Sequence, residues 1–80
     1  MSRQHHYLKC ETDMFQAVKR GEKKFELRIN DRNFKKYDMV YLREVVNGTE
    51  TGRELPPFEI RFVLDGGKWG LDPNYCIFNW

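Results

Sequence analysis

Hydrophobic and polar residues alternate with a period of two over much of the chain, which predicts a small protein built mainly from β-strands. Lys24–Ile29 alternates in this way, and so does Phe58–Leu64. A run rich in β-forming residues spans Met39–Val46, and shorter strands are predicted at Tyr7–Cys10 and Tyr75–Trp80. About five strands at short spacing suggest a twisted sheet that curls toward a barrel.

The alternation also predicts which side chains form the core. In the first alternating run the apolar residues share one side and the charged residues share the other: Phe25, Leu27 and Ile29 against Lys24, Glu26 and Arg28. We expect the apolar side to be buried, as in a strand with one face in water. The predicted core consists of Phe25, Leu27, Val40, Leu42, Phe58, Ile60, Phe62, Ile77 and Phe78.

One short helix and one hairpin interrupt the strands. Asp13 is placed to cap a helix of about two turns, Gln16 follows as in a capping box, and Gly21 is placed to end the helix. Asn47-Gly48 is a strong hairpin signal, and the turn is expected to extend from Thr49 to Gly52. The predicted class is therefore α+β, mainly β with one or two short helices.

The length of 80 residues corresponds to a single domain, residues 1–80, because so short a chain cannot supply two cores. Hydrophobic residues make up 40% of the chain and aromatic residues 15%, which favours folding over disorder. No apolar run approaches the roughly 20 residues that span a bilayer, so we expect no membrane partner. The polar start predicts no secretory leader and hence a cytoplasmic location.

Metal and thiol chemistry are not indicated. Cys10 and Cys76 lie inside predicted strands, where we expect two buried thiols. His5 and His6 are neighbours on a strand and point to opposite faces, which prevents joint ligation of zinc. We expect no metal and no cofactor.

Basic residues are concentrated in one segment, although the net charge is only +2. Residues 19–36 contain eight lysines and arginines against three acidic residues, whereas residues 37–80 contain four against seven. Such segregation is typical of a phosphate-binding face, with a solvated surface as the alternative. The candidate phosphate contacts are Lys24, Arg32, Lys35 and Lys36.

Gly21–Arg28 carries the strongest candidate chemistry. Lys23 or Lys24 could supply a point charge for phosphate. Glu26 could accept from a base amino group, and Arg28 could form a bidentate fork to phosphate or to a base edge. The alternative is a set of solvated ion pairs without function. Among the aromatic residues, Trp69, Tyr75 and Trp80 could each stack on a base or pack in the core.

A specific order of motifs runs along the chain: His6–Cys10, Phe15 with Val18, Gly21–Lys23, Phe25–Arg28, Asn30–Phe34, Asp38–Glu44, Thr51–Glu54 and Gly66–Leu71. In these motifs the sequence resembles ASCH domains of the PUA-like superfamily, and in detail a compact ASCH-related family of bacteria and their phages. The resemblance covers nearly the whole chain. It implies a PUA-like pseudo-β-barrel with a helix at one end and, by kinship, binding of RNA or of a modified nucleobase.

Some ASCH relatives are enzymes, and the resemblance extends to part of their active site. One group deacylates an acetylated cytidine with the lysine of a Gly-x-Lys motif, a threonine three residues later and a distant glutamate. Lys23 matches the lysine, but Glu26 stands at the threonine position. Ribonuclease activity is also ascribed to ASCH relatives.

We therefore expect a monomeric domain that binds RNA or a nucleotide in a basic cleft between Gly21–Arg28 and Asn30–Lys36. Two alternatives stay open. One is an enzyme acting on a nucleic acid or nucleoside, with Lys23 and Glu26 as catalytic residues. The other is an adaptor that binds a protein partner through an apolar patch around Trp69 and Trp80.

Overall fold

The computed structural model describes residues 2–80, which contain seven strands and one helix. The mainly β class predicted from the sequence is confirmed. In chain order the elements are β1 (His5–Glu11), α1 (Thr12–Lys19), β2 (Phe25–Ile29), β3 (Met39–Val46), β4 (Thr49–Glu54), β5 (Phe58–Glu59), β6 (Phe62–Asp65) and β7 (Tyr75–Asn79).

The strands form two sheets. In the larger sheet β3 is central: it pairs with β1 in parallel and with β4 and β5 antiparallel. In the second sheet β7 lies between β2 and β6 and is antiparallel to both. The parallel pairing of β1 and β3 requires a long crossover, which α1 and β2 supply.

One core lies between the two sheets. Val40, Leu42, Ile60 and Phe78 are fully buried, as the sequence predicts. The full cluster comprises Leu8, Cys10, Phe15, Val18, Phe34, Val40, Leu42, Leu55, Ile60, Cys76 and Phe78, so both thiols are buried and free.

The prediction that strand β2 buries its apolar face is wrong, because its charged face is the one that lies toward this core. Phe25, Leu27 and Ile29 are about half exposed, while Glu26 is only 4% exposed. A period of two identifies residues that share a face but not which face is buried. Because Lys23 and Arg28 neutralise the Glu26 carboxylate, the charged side can lie inward. The apolar side of β2 therefore faces solvent.

The single strand predicted at Phe58–Leu64 is also wrong, because the chain changes sheets within it. Its first part, β5, pairs with β3, and its second part, β6, pairs with β7. The alternation changes phase at this crossing, so Ile60 is buried but Phe62 is 60% exposed. Val63 packs against the core in its place.

The hairpin predicted at Asn47-Gly48 is confirmed. Both residues have positive φ, 49° and 80°, as a two-residue turn between twisted strands requires. The turn does not extend to Gly52, because Thr49–Glu54 is strand β4, paired with β3.

The start of α1 differs from the prediction. The N-cap is Glu11, which makes no side-chain capping bond, and Asp13 lies inside the helix. Gln16 forms no capping box, because its amide donates to Glu44 instead. A side-chain hydrogen bond to β3 thus replaces the local capping bond predicted for Gln16.

The end of α1 follows the prediction. Gly21 comes directly after the C-cap Arg20 with φ of 80°, a conformation that favours glycine, and donates its N–H to Val18 O. Within residues 2–80 no helix has the length and apolar character needed to cross a membrane.

Candidate functional site

A cleft of about 470 Å³ opens between one edge of β1 and strand β2. We call it the β1–β2 cleft; it is lined by Lys9, Cys10, Glu11, Met14, Lys23, Phe25, Glu26, Leu27 and Arg28. The cleft predicted from the sequence lies instead between Gly21–Arg28 and Asn30–Lys36. On that side lies a separate cleft of about 270 Å³, whose lining includes Arg28 and Arg32.

The β1–β2 cleft brings together the three charged residues singled out in the sequence. Lys23 Nζ donates to Glu26 Oε1 at 2.5 Å, and Arg28 Nε donates to Glu26 Oε2 at 2.8 Å. The Glu26 side chain is 5% exposed, against 14% for Lys23 and 24% for Arg28. This arrangement differs from solvated surface ion pairs, because the shared carboxylate is withdrawn from water.

Local sequence explains how these residues converge. After Gly21 ends α1, the N–H groups of Glu22 and Lys23 both donate to Ala17 O, which folds the chain back over the helix end. This turn delivers Lys23 to the start of β2. Residues two apart on a strand share a face, so Glu26 and Arg28 both follow on the side turned toward β1.

The three side chains retain unused hydrogen-bonding capacity. Of three donors on Lys23, one goes to Phe25 O and one to Glu26. Of five on Arg28, one goes to Glu26 and one to Lys9 O. Each Glu26 oxygen accepts one bond from the described residues and has a second lone pair. The site can therefore donate to an anion or carbonyl and accept from an amino group.

Two arginines lie along the edge of β1 that β3 does not cover. Arg28 Nη2 donates to Lys9 O at 2.6 Å, and Arg32 Nη1 donates to Tyr7 O at 3.2 Å. The two carbonyl groups are two residues apart, a spacing of about 6.6 Å on a strand. Positive charge therefore continues from the β1–β2 cleft along this edge.

Cys10 lies in the lining of the cleft as an unreactive group. Burial, and then the negative charge of Glu26, raise the pKa of the Cys10 thiol to about 11. The thiol therefore stays protonated at neutral pH and supplies no nucleophile.

The other predicted binding residues lie outside the β1–β2 cleft. Lys24 is exposed and absent from its lining. Lys35 and Lys36 line a different cleft of about 530 Å³, together with Arg3 and Tyr37. The basic segment is thus spread over several surfaces rather than gathered in one site.

The two tryptophans proposed as aromatic contacts lie in different environments. Trp69 is 84% exposed, and its φ of 58° lies in the left-handed region, which is uncommon for a bulky residue. Trp80 instead stacks on Phe58 with ring centroids 4.4 Å apart and packs against the core. The apolar patch expected around both tryptophans therefore lacks Trp80, which packs against the core.

His6 and Asp38 form a buried pair that is not predicted from the sequence. His6 Nε2 lies 2.9 Å from Asp38 Oδ2, whereas the neighbouring His5 is exposed beside Tyr41. Although burial raises the pKa of Asp38, hydrogen bonds from His6 and from the backbone N–H groups of Gln4 and Lys35 hold it below its usual range. The two residues are 32 positions apart, so no local pattern links them.

Glu44 is a second buried carboxylate that the sequence analysis missed. It is 2% exposed and accepts hydrogen bonds from four side chains: Thr12, Gln16, Thr51 and Arg53. Hydrogen bonds from the hydroxyl groups of Thr51 and then Thr12 lower its pKa to about 2. The sequence does contain a signal for its burial: in the alternating pattern of β3, Glu44 stands on the same side as the buried residues Val40 and Leu42.

Comparisons with known proteins give two matches. A family model described as "Domain of unknown function (DUF3850)" matches residues 5–80. A protein of Escherichia phage P2, described as "Uncharacterized 12.9 kDa protein in GpA 3'region", is 36% identical over 64 residues. That alignment covers 80% of this chain and 58% of the phage protein, so the chain spans little more than half the length of this relative.

Proposed function

The chain belongs to the DUF3850 family, and we propose that it binds a nucleotide or a structured RNA in the β1–β2 cleft. One observation carries the proposal: a buried carboxylate, Glu26, is held between Lys23 and Arg28 at the side of an open cleft. A volume of about 470 Å³ lies within the range of pockets that bind small organic ligands.

The unused donors and acceptors match the groups of a nucleotide. Arg28 and Lys23 have N–H groups left for a phosphate or a base carbonyl. Glu26 has a lone pair left on each oxygen for an exocyclic amino group, the kind of contact that carboxylates make to cytosine. The apolar parts of Phe25 and Leu27 in the lining offer contact area for a base.

We also propose that the two sheets form a PUA-like pseudo-barrel. The shared core and the placement of α1 beside β1 and β3 support this architecture. The β1–β2 cleft would then be the place where the barrel stays open, bridged by Arg28. The resemblance to ASCH domains supports the same interpretation.

Titration calorimetry of the whole chain tests the proposed function. The ligands are the four ribonucleoside monophosphates and a set of ten-nucleotide RNAs. We expect saturable binding that favours bases with an exocyclic amine over uracil. Arg28→Ala should weaken every ligand, because it removes a phosphate or carbonyl donor, while Arg61→Ala serves as the matched control at an exposed arginine just before β6. Absence of saturable binding at millimolar nucleotide and with all RNAs would exclude the proposal.

The contact between Lys23 and Glu26 supports one second candidate, an enzyme acting on a nucleoside or nucleic acid. A lysine beside a carboxylate can move a proton during amide or phosphodiester cleavage. Incubating acetylated cytidine and short RNAs with the protein, followed by mass spectrometry, tests for products. Lys23→Ala should then abolish turnover while affinity stays within severalfold, because the lysine acts mainly in the transition state.

A further inference from the structure

The outer face of the sheet formed by β2, β7 and β6 is apolar, as a result of the inverted orientation of β2. Residues that pair across a sheet share a face, so the register defines this surface. We call it the outer sheet face. Its rows are Phe25–Asn79–Phe62, Leu27–Ile77–Leu64 and Ile29–Tyr75.

This surface is well exposed to solvent. Phe25, Leu27, Ile29 and Phe62 are 47%, 52%, 53% and 60% exposed, respectively. An antiparallel sheet with one buried face normally presents polar residues to water. Contiguous apolar patches of this kind on a folded chain mark interaction surfaces.

We propose that the outer sheet face binds the same face of a second copy of this chain. The three rows contain seven apolar residues, one asparagine and no charged side chain. A face that meets itself about a twofold axis brings like groups together, so a charged face would repel its copy and an uncharged one does not. Two sheets stacked in this way pack about 10 Å apart.

The available area fits a weak dimer. Large side chains present about 150–250 Å² each when fully exposed, so the exposed parts of these residues amount to roughly 500 Å² per copy. A dimer would bury about 1,000 Å² in total, near the lower limit for a specific interface. We therefore expect association in the micromolar to millimolar range instead of the monomer expected from the sequence.

Sedimentation equilibrium of the whole chain from about 10 µM to 1 mM tests the proposal. The wild-type mass should rise from 9.7 kDa toward twice that value. Phe62→Arg should raise the dissociation constant at least tenfold, because it places a charged side chain against apolar residues of the second copy. Val46→Arg is the matched control, since Val46 is an exposed apolar residue on β3 of the other sheet.

Nuclear Overhauser effects between labelled and unlabelled copies provide a second readout that does not depend on any variant. We expect them between Phe62 and Leu64 of one copy and Leu27 or Ile29 of the other. A wild-type chain that stays monomeric at 1 mM would overturn the proposal. So would a dimer that Val46→Arg disrupts and Phe62→Arg leaves intact. Phe25 and Leu27 belong both to this face and to the lining of the β1–β2 cleft, but Phe62 and Val46 do not line the cleft. The two variants therefore test the dimer without altering the proposed nucleotide site.

Discussion

Glu26 and Glu44 are both buried glutamates, but the regions around them satisfy the carboxylate differently. Glu44 accepts two hydrogen bonds at each oxygen, from Thr12 and Gln16 at Oε2 and from Thr51 and Arg53 at Oε1. Within residues 2–80, Glu26 accepts one at each oxygen, both from cations.

The difference separates a structural carboxylate from one suited to binding. Four donors use the lone pairs of Glu44 and join α1 to the hairpin of β3 and β4, so the group is saturated. Glu26 is neutralised in charge but only half used as an acceptor, and it lies in the lining of a cleft. Burial alone therefore does not identify a site; unused hydrogen-bonding capacity next to open space does.

The largest expected effect tests whether Glu26 depends on its two cations. Replacing both Lys23 and Arg28 by methionine leaves a buried charge without compensation, which costs about 3–5 kcal/mol of unfolding free energy. Adding Glu26→Gln should recover most of that loss, because no charge is left to bury. Urea denaturation at neutral pH measures both changes. A loss below about 1 kcal/mol would mean that water, and not the cations, satisfies Glu26.

The next effect contrasts the two glutamates in ligand binding. Glu26→Gln replaces an acceptor oxygen by a donor, so we expect a loss of about 1–3 kcal/mol, or roughly five- to 150-fold in affinity, for the preferred base. The affinity for other bases should change little. Glu44→Gln, titrated under conditions where the variant is folded, should leave all affinities unchanged. Equal losses in both variants would remove the distinction between the two regions.

Several features of the fold were predictable because they depend on local chemistry. The bounds of β3 follow from its β-forming run, and the hairpin follows from Asn47-Gly48, which tolerate positive φ. Gly21 ends the helix for the same reason. The convergence of Lys23, Glu26 and Arg28 follows from this helix end and from the period of β2.

The remaining features depend on contacts between distant residues. The inward side of β2 is decided by ion pairs and by what covers each face, neither of which a period of two contains. The break at Ile60 depends on a change of sheet. The partners of Glu44 lie 7 to 32 residues away along the chain. No local pattern identifies such partners.

A smaller effect tests whether the basic residues outside the β1–β2 cleft contribute to binding. Alanine at Arg32, Lys35 and Lys36 should weaken binding of single-stranded RNA. It should also lower the slope of log affinity against log salt by about 0.7 for each phosphate that the variant no longer neutralises. The charge-matched control replaces three exposed cations elsewhere: Lys19, Arg61 and Lys68. Identical slopes for the two triple variants would show that only net charge matters.

The smallest effect at neutral pH concerns Glu44. The stabilisation that its four hydrogen bonds provide can be measured only as it is lost at low pH. Its pKa is about 2 in the folded chain, against an ordinary value of 4.5. A carboxylate with a lowered pKa stabilises the fold above the pKa of the unfolded state, and this contribution is lost as the pH falls through the folded value. The free energy of unfolding should therefore decrease between about pH 4.5 and pH 2.

Two variants assign that acid sensitivity to Glu44. Glu44→Gln should make stability less dependent on pH in this window, with a remainder from Asp38, whose pKa is also lowered. Thr51→Val removes the hydrogen bond that lowers the Glu44 pKa most, so the acid transition should move to higher pH. Urea midpoints measured at constant salt from pH 7 to pH 2 give both results. If wild type and Glu44→Gln lose stability in parallel, the four donors do not favour the charged form of Glu44, and its contrast with Glu26 fails.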